Sequence, residues 1–279
     1  MRLGGTVAGA WSTPAEWADL LKKTRFAAVT CPVDSTAPRT LAREYFDGAR
    51  DAGAVIAEVG VWKNVLSPDA KERGAALEYA ISQLAFAEEM GVACCVNISG
   101  SRGSRWDGAY PENYSGETYD LLVETVRGII DAVKPRRAFY TLEPMPWMVP
   151  DGPEEYLRLI HDISRVQFAA HMDFVNMISC PRRFLLAGSF IEECFSKLGP
   201  WIKSTHIKDS LMEAPFTAVI RETAPGKGML DYSRVLSAIA RHLPADAPVL
   251  LEHMGSFEEY AAAYDHVAAK ALLAGIPVR

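Results

Sequence analysis

Apolar, largely β-branched runs recur along the chain at residues 3–9, 26–32, 54–62, 92–99, 139–144, 166–173, 204–209 and 248–254. The longer segments between them carry apolar residues at helical spacing. Tyr119, Leu122, Val126, Ile129 and Val133, for example, advance by three, four, three and four positions. Thr13 before Pro14, with Glu16 three residues on, predicts a capped helix start, and Ser67 before Pro68 predicts another. Gly53 and Gly91 fall where helices should end. Eight strand-helix alternations imply parallel strands joined by crossovers. This predicts an α/β chain folded as a closed (β/α)8 TIM barrel, with an open doubly wound sheet as the alternative.

No linker rich in Pro, Gly or Ser divides the sequence, so residues 1–279 read as one domain. Two stretches, 101–115 and 210–228, are too polar or irregular for core elements. Each follows an expected strand, which places both over the mouth of the barrel, where active sites form.

Composition narrows the function classes. With 49% hydrophobic residues in 279, material for a core is ample. A net charge of -6 gives no electrostatic footprint for nucleic acid or an anionic membrane, so a small neutral or weakly charged partner fits better. The five cysteines lack a ligand-like spacing and read as reduced thiols. No apolar run approaches the roughly 20 residues a bilayer span requires, and no cationic leader is evident; the expected location is cytoplasmic.

Candidate chemistry gathers at the polar ends of four apolar runs: Glu143 in Thr141-Leu142-Glu143-Pro144, Asp173 in His171-Met172-Asp173, His206 in Thr205-His206-Ile207-Lys208-Asp209, and Glu252 in Leu251-Glu252-His253. Separations of 30, 33 and 46 residues are too wide for a zinc finger but suit successive strand-helix units. In a barrel the ends of strands five to eight are neighbours, so these residues are expected to converge. Three carboxylates and one imidazole make a hard site for one divalent ion. Mn²⁺ is the best match, and Mg²⁺, Co²⁺, Zn²⁺ and Fe²⁺ are compatible. The duller alternative is a set of separate ion pairs at the rim.

The ordered set Glu143-Pro144, Asp173, His206-x-Lys208-Asp209, Pro225-Gly226-x-Gly228 with Asp231, and Glu252 resembles the xylose-isomerase-like barrels, the sugar phosphate isomerase/epimerase superfamily. The resemblance spans essentially the whole chain. It implies a divalent ion held by Glu143, Asp173, His206 and Glu252, with Glu143 and Glu252 also forming the acid and base pair. It also implies a homo-oligomer; a further partner subunit stays open.

This chain has Asn176 where the superfamily's ketose 3-epimerases carry a His, and residues 145–149 replace their Asn-Arg-x-Glu stretch. A free ketohexose bound in the usual way is therefore not expected. Trp147 and Phe174 are expected to form an apolar wall for a substituted, oxidised or glycosylated sugar.

Further substrate contacts are assigned with their structural alternatives. Glu58 either bonds a substrate hydroxyl or pairs with Lys63 or Arg102. Asn97 needs a hydrogen-bond partner, from substrate or protein. Lys208, two residues after His206, shares its strand face and can reach a substrate oxygen, whereas Asp209 points away and orients a loop. Arg221 either closes over the substrate or is solvated. His253 is expected to face outward into the helix layer, and His171 to hydrogen-bond behind the site.

The favoured function is a metal-dependent carbohydrate isomerase or epimerase that moves a proton next to a carbonyl through an enediolate. The rival is a lyase or dehydratase using the same enolate chemistry on an oxidised sugar, inosose or oxidised (C-)glycoside. Metal-dependent cleavage of damaged DNA is disfavoured by six histidines and an acidic balance. A non-catalytic sugar-binding barrel is the remaining alternative.

Overall fold

The computed structural model describes residues 1–214 and 217–279. The eight apolar runs form the barrel: β1 (Arg2–Gly5), β2 (Ala28–Thr30), β3 (Val55–Gly60), β4 (Cys94–Asn97), β5 (Phe139–Leu142), β6 (Phe168–Asp173), β7 (Ile202–Ile207) and, after an added hairpin of β8 (Asp209–Glu213) and β9 (Val219–Thr223), β10 (Pro248–Leu251). All neighbouring barrel strands are parallel, and β10 closes onto β1 with Leu3 opposite Val249. At Gly4 β1 approaches β2 so closely that a Cβ would lie 1.6 Å from the Ala28 carbonyl oxygen, which leaves room only for glycine.

The helices are α1 (Pro14–Lys23), α2 (Arg39–Asp51), α3 (Ala70–Met90), α4 (Gly116–Val133), α5 (Pro153–Ile163), α6 (Phe174–Met177), α7 (Pro181–Leu185), α8 (Ala187–Leu198), α9 (Tyr232–His242) and α10 (Phe257–Leu273). Their apolar faces bury against the strands; on α4, Tyr119, Leu122, Val126 and Ile129 are all buried. Thr13 and Glu16 make the expected capping box. The start of α3 lies two residues beyond its expected cap. Asp69 accepts from the amides of Lys71 and Glu72 at 2.9 and 2.8 Å, while Ser67 instead bonds the Asp69 amide and the Glu72 carboxylate. Gly91 closes α3 with φ +77°, a left-handed conformation that favours glycine.

The strand order β10-β7-β6-β5 sets the last four strands side by side. Register pairs Asp173 with His206, Leu142 with Ala170, and Leu251 with Ile207, so the residues that finish these strands emerge on one rim. Tyr156 of α5 ties two of the strands together: its hydroxyl lies 3.1 Å from the Leu142 amide and 3.3 Å from the His171 amide.

Segment 210–228 differs from its expected irregularity, because β8 and β9 pair antiparallel with Leu211 opposite Arg221. The hairpin is largely half-buried or exposed and has no barrel neighbour, so its residues carry no strong apolar alternation. No helix among the described residues is long and apolar enough to cross a membrane.

Candidate active site

Glu143, Asp173, His206 and Glu252 meet at the rim of β5, β6, β7 and β10, with one potential ligand atom from each lying within 4.8 Å of the others. His206 Nδ1 stands 3.5 Å from Glu143 Oε1 and 3.1 Å from Glu252 Oε1. The parallel register produces this row: Glu252 and Glu143 are its ends, with His206 and Asp173 between them.

His206 is fixed from behind by Glu58 on β3. Glu58 Oε1 lies 2.9 Å from His206 Nε2, while its other oxygen accepts from Ser204 Oγ at 2.8 Å and sits 3.2 Å from His171 Nε2. The two imidazoles pack edge to face with centroids 4.2 Å apart. Occupying Nε2 turns Nδ1 toward the carboxylates, the arrangement in which a carboxylate sets the tautomer of a ligating histidine. Glu58 thus has neither Lys63 nor Arg102 as its partner, and its carboxylate is committed to protein donors instead of a substrate hydroxyl. His171 takes the supporting place expected of it.

Lys208 reaches the same rim, as the strand period of two requires. Its ammonium is 1% exposed and lies 2.8 Å from Asp173 Oδ2, 2.7 Å from Glu252 Oε2 and 3.2 Å from Glu222 Oε2. Asn176 lies beside them, with Nδ2 3.3 Å from Glu143 Oε1 and its backbone amide on Asp173 Oδ1 at 3.0 Å.

Burial opposes charge throughout this cluster, but the partners decide the outcome. Burial disfavours a cationic His206, yet Glu58, Glu252 and Glu143 outweigh it and hold the imidazole well above its ordinary pKa. Glu252 is held well below the carboxylate range against burial by His206 and Lys208, and Glu143 is lowered by His206 against burial and the charge of Glu252. Asp173 goes the other way: burial pushes it up to about 6, Lys208 opposes, and Glu143 and Glu252 add to the rise.

The donor set fits a divalent cation. His206 Nδ1 is buried without a directed hydrogen bond, while Asp173 Oδ2 and Glu252 Oε2 are held by the Lys208 ammonium at 2.8 and 2.7 Å. Carboxylate oxygens with one imidazole nitrogen suit a hard or borderline metal ion.

Above the quartet opens a cavity of about 1010 Å³. Trp147 lines it, its indole N–H donating to the Asp107 carbonyl at 2.7 Å. Loop 101–115 and the hairpin supply other wall residues, as expected of segments over the mouth, including Trp106, Asp107, Ile220 and Glu222. Asp209 turns away and accepts from the amides of Gly226 and Leu230, both at 3.0 Å, so it orients the following loop.

Asn97 and Arg221 take their structural alternatives, and two expected placements, Phe174 and His253, differ. Asn97 is fully buried and spends its amide on Lys63, accepting from that backbone N–H at 3.2 Å and donating to the carbonyl at 3.0 Å, so it braces the loop after β3 and does not line the cavity. Arg221 is exposed and pairs with Glu213 across the hairpin at 3.3 Å, because antiparallel register aims it along the ribbon. Phe174 gives no wall: β6 passes directly into α6, and its ring is buried against Phe195. His253 adopts φ +61° and faces the mouth, not the helix layer, 2.8 Å from Glu222.

Residues the sequence did not single out include Glu222, Trp62 and Trp106. Glu222 lies in a segment read as irregular; Trp62 and Trp106 carried a signal, as bulky aromatics at the end of an apolar run and within the polar stretch 101–115.

A sequence model of the family described as "Xylose isomerase-like TIM barrel" matches residues 14–270. No curated protein matches the chain in sequence. Several solved structures share its fold. A xylose isomerase-like TIM barrel protein from Mycobacterium smegmatis, in complex with magnesium, is 16% identical with a TM-score of 0.70, covering 99% of this chain and 97% of its own. The 3-keto-D-glucoside 4-epimerase of E. coli is 12% identical with a TM-score of 0.71, covering 98% and 99%. A probable 3-DHS dehydratase of Bacillus anthracis is 16% identical with a TM-score of 0.70, also covering 98% and 99%.

Proposed function

Because the chain belongs to the xylose isomerase-like TIM barrel family, we propose that it is a divalent-metal-dependent carbohydrate isomerase or epimerase working by proton transfer next to a carbonyl, through an enediolate. The observation that carries this reading is the convergence of Glu143, Asp173, His206 and Glu252 at one rim, with one potential ligand atom from each within 4.8 Å of the others.

Those four residues would hold the ion, with Mn²⁺ as the best match to the donor set. When bound, it supplies Lewis acidity to a carbonyl and an adjacent hydroxyl oxygen, which acidifies the C–H between them. Glu143 and Glu252 end the row of four and act as the proton-moving pair: one, as carboxylate, removes the proton, and the other, protonated from solvent, returns one to the opposite face. Return to the same carbon inverts it; return to the neighbouring carbon isomerises the sugar. Asn176, which lines the cavity, is placed to orient a substrate oxygen over the quartet. Lys208, buried and paired with Asp173, Glu252 and Glu222, balances their charge instead of reaching substrate as expected. Substrate recognition then needs only a small neutral carbohydrate, in keeping with a cytoplasmic enzyme that assembles with copies of itself.

The test is deuterium incorporation from D₂O into ketoses and keto-glycosides by the Mn²⁺-loaded enzyme. Glu143→Gln or Glu252→Gln should slow exchange at least about 100-fold; wild-type exchange in both variants would refute the assignment. A second reading, a lyase or dehydratase acting on an oxidised sugar, inosose or oxidised (C-)glycoside, is favoured by a cavity large enough to house a leaving group. Product mass separates the two, since elimination loses water or an aglycone.

A further inference from the structure

The cavity has two chemically distinct parts. Glu143, His206 and Glu252 of the quartet line its floor, while its outer wall includes Trp62, Trp106, Trp147, Met145, Ile178 and Ile220. At about 1010 Å³ it lies at the upper end of the roughly 300–1,000 Å³ range of small-molecule pockets, more than a single sugar ring over the quartet needs.

The wall is rigid. Asn113 is buried and its amide donates to the carbonyls of Gly108 and Trp147 at 2.9 and 3.1 Å, clamping the loops after β4 and β5 to one another. Trp62 is held at φ +49°, a left-handed conformation that a bulky residue rarely adopts. Its indole covers Gly60, where a Cβ would meet Nε1 at 2.0 Å, and yet the residue is 38% exposed at the mouth. An aromatic kept in an unfavourable backbone conformation with its ring half-exposed gains little for folding, and such conformations cluster at ligand sites.

The charged residues of the wall are paired with one another, Glu222 with His253 at 2.8 Å. Arg105, the sole Lys or Arg among the described lining residues, is paired with Asp107 at 2.7 Å. The indole N–H of Trp147 is already spent on Asp107. A second sugar placed against Trp62, Trp106 and Trp147 would leave hydroxyls facing indole rings, whereas a flat apolar ring there would lose no hydrogen bonds on entering.

We propose that this outer chamber is an aglycone site for an uncharged aromatic ring, so that the substrate is an aryl glycoside, with its sugar over the quartet and its aryl group among Trp62, Trp106 and Trp147. This rests on the carbohydrate reading of the floor, but the test reads binding alone. Titration calorimetry of the Mn²⁺-loaded protein with phenyl β-D-glucopyranoside, cellobiose and D-glucose should show the phenyl glycoside bound about tenfold or more tighter than the other two. Trp62→Ala should cut that advantage to below about threefold. Trp62→Gly, which relieves the left-handed backbone while removing the ring, should do the same and guards against a folding defect in the first variant.

Cellobiose binding as tightly as the phenyl glycoside, an undiminished advantage in both variants, or no advantage at all would each overturn the aryl assignment. Loss of the proton-transfer reading would instead appear as unaltered exchange in the Glu143 and Glu252 variants, and would leave a phenyl preference in place.

Discussion

Glu58 Oε1 lies 2.9 Å from His206 Nε2, so the imidazole that joins three carboxylates at the rim is aimed by a fourth carboxylate buried beneath it. Glu58 is 2% exposed, and both its oxygens are engaged by His206, His171 and Ser204. Glu58→Gln replaces one acceptor with a donor facing other donors, so His206 loses its fixed orientation. Metal affinity measured by competition with a chelator should fall about 10–100-fold, with the fold retained. Unchanged affinity would show that His206 is oriented by packing alone.

The protonation states of the quartet predict how metal binding responds to pH. His206 has its folded pKa raised above 6.5, so in the metal-free protein its contribution to stability is complete below 6.5 and is lost as pH rises through the folded value. Asp173, raised to about 6 from 3.8, likewise contributes below 3.8 and loses that contribution between 3.8 and about 6. A metal ion needs the opposite forms, a carboxylate and a neutral imidazole. Affinity should therefore climb through pH 6 and keep rising beyond it, with about one proton released at pH 7 and more at pH 5.5. Calorimetry in two buffers of different ionisation enthalpy measures that number; heats independent of buffer would contradict it.

The site was legible in sequence where period and register decide placement. His206 and Lys208 share a face because strands alternate, Asp209 points away for the same reason, and adjacency of the last four strands unites residues more than a hundred positions apart. Legibility failed where a single backbone step redirects a side chain. His253 leaves its strand through φ +61°, and Phe174 begins a helix immediately after β6, so neither obeys the alternation that applies up to Glu252 and Asp173. Glu58 does line the cavity, but its partners were not legible because nothing local reveals that they arrive from β6 and β7. The β8–β9 ribbon was hidden because its two strands pair only with each other and bury little.

Tyr156 couples packing to the quartet. Its hydroxyl is fully buried between β5 and β6, near the Leu142 amide that precedes Glu143 and the His171 amide two residues before Asp173. Tyr156→Phe keeps the ring against Phe168 but leaves these polar groups without the oxygen they share. Chemical denaturation should show a loss of about 1–3 kcal/mol, accompanied by weaker metal binding as the ends of β5 and β6 shift. A loss of stability with full metal affinity would confine Tyr156 to the core.

Asp209 should control the loop that completes the rim. Its carboxylate is 1% exposed and accepts from the amides of Gly226 and Leu230 at 3.0 Å and of Ser210 at 2.8 Å, so one side chain anchors both ends of the turn that includes Gly226. A Cβ at Gly228 would lie 2.2 Å from Asp209 Oδ1, which shows how closely the turn wraps the carboxylate. Asp209→Ala removes all three acceptor contacts and leaves the buried Ser210 amide and the part-buried amides of Gly226 and Leu230 without their partner, at about 1–3 kcal/mol. Hydrogen exchange at Gly226 and Leu230 should accelerate well beyond any change in β6 or β7, because the loop opens locally while the barrel stays closed. Metal affinity should stay within about twofold of wild type, since none of the four ligands contacts the turn. Undiminished protection of both amides would mean that the Pro225-Gly226-Lys227-Gly228 backbone holds the rim without Asp209.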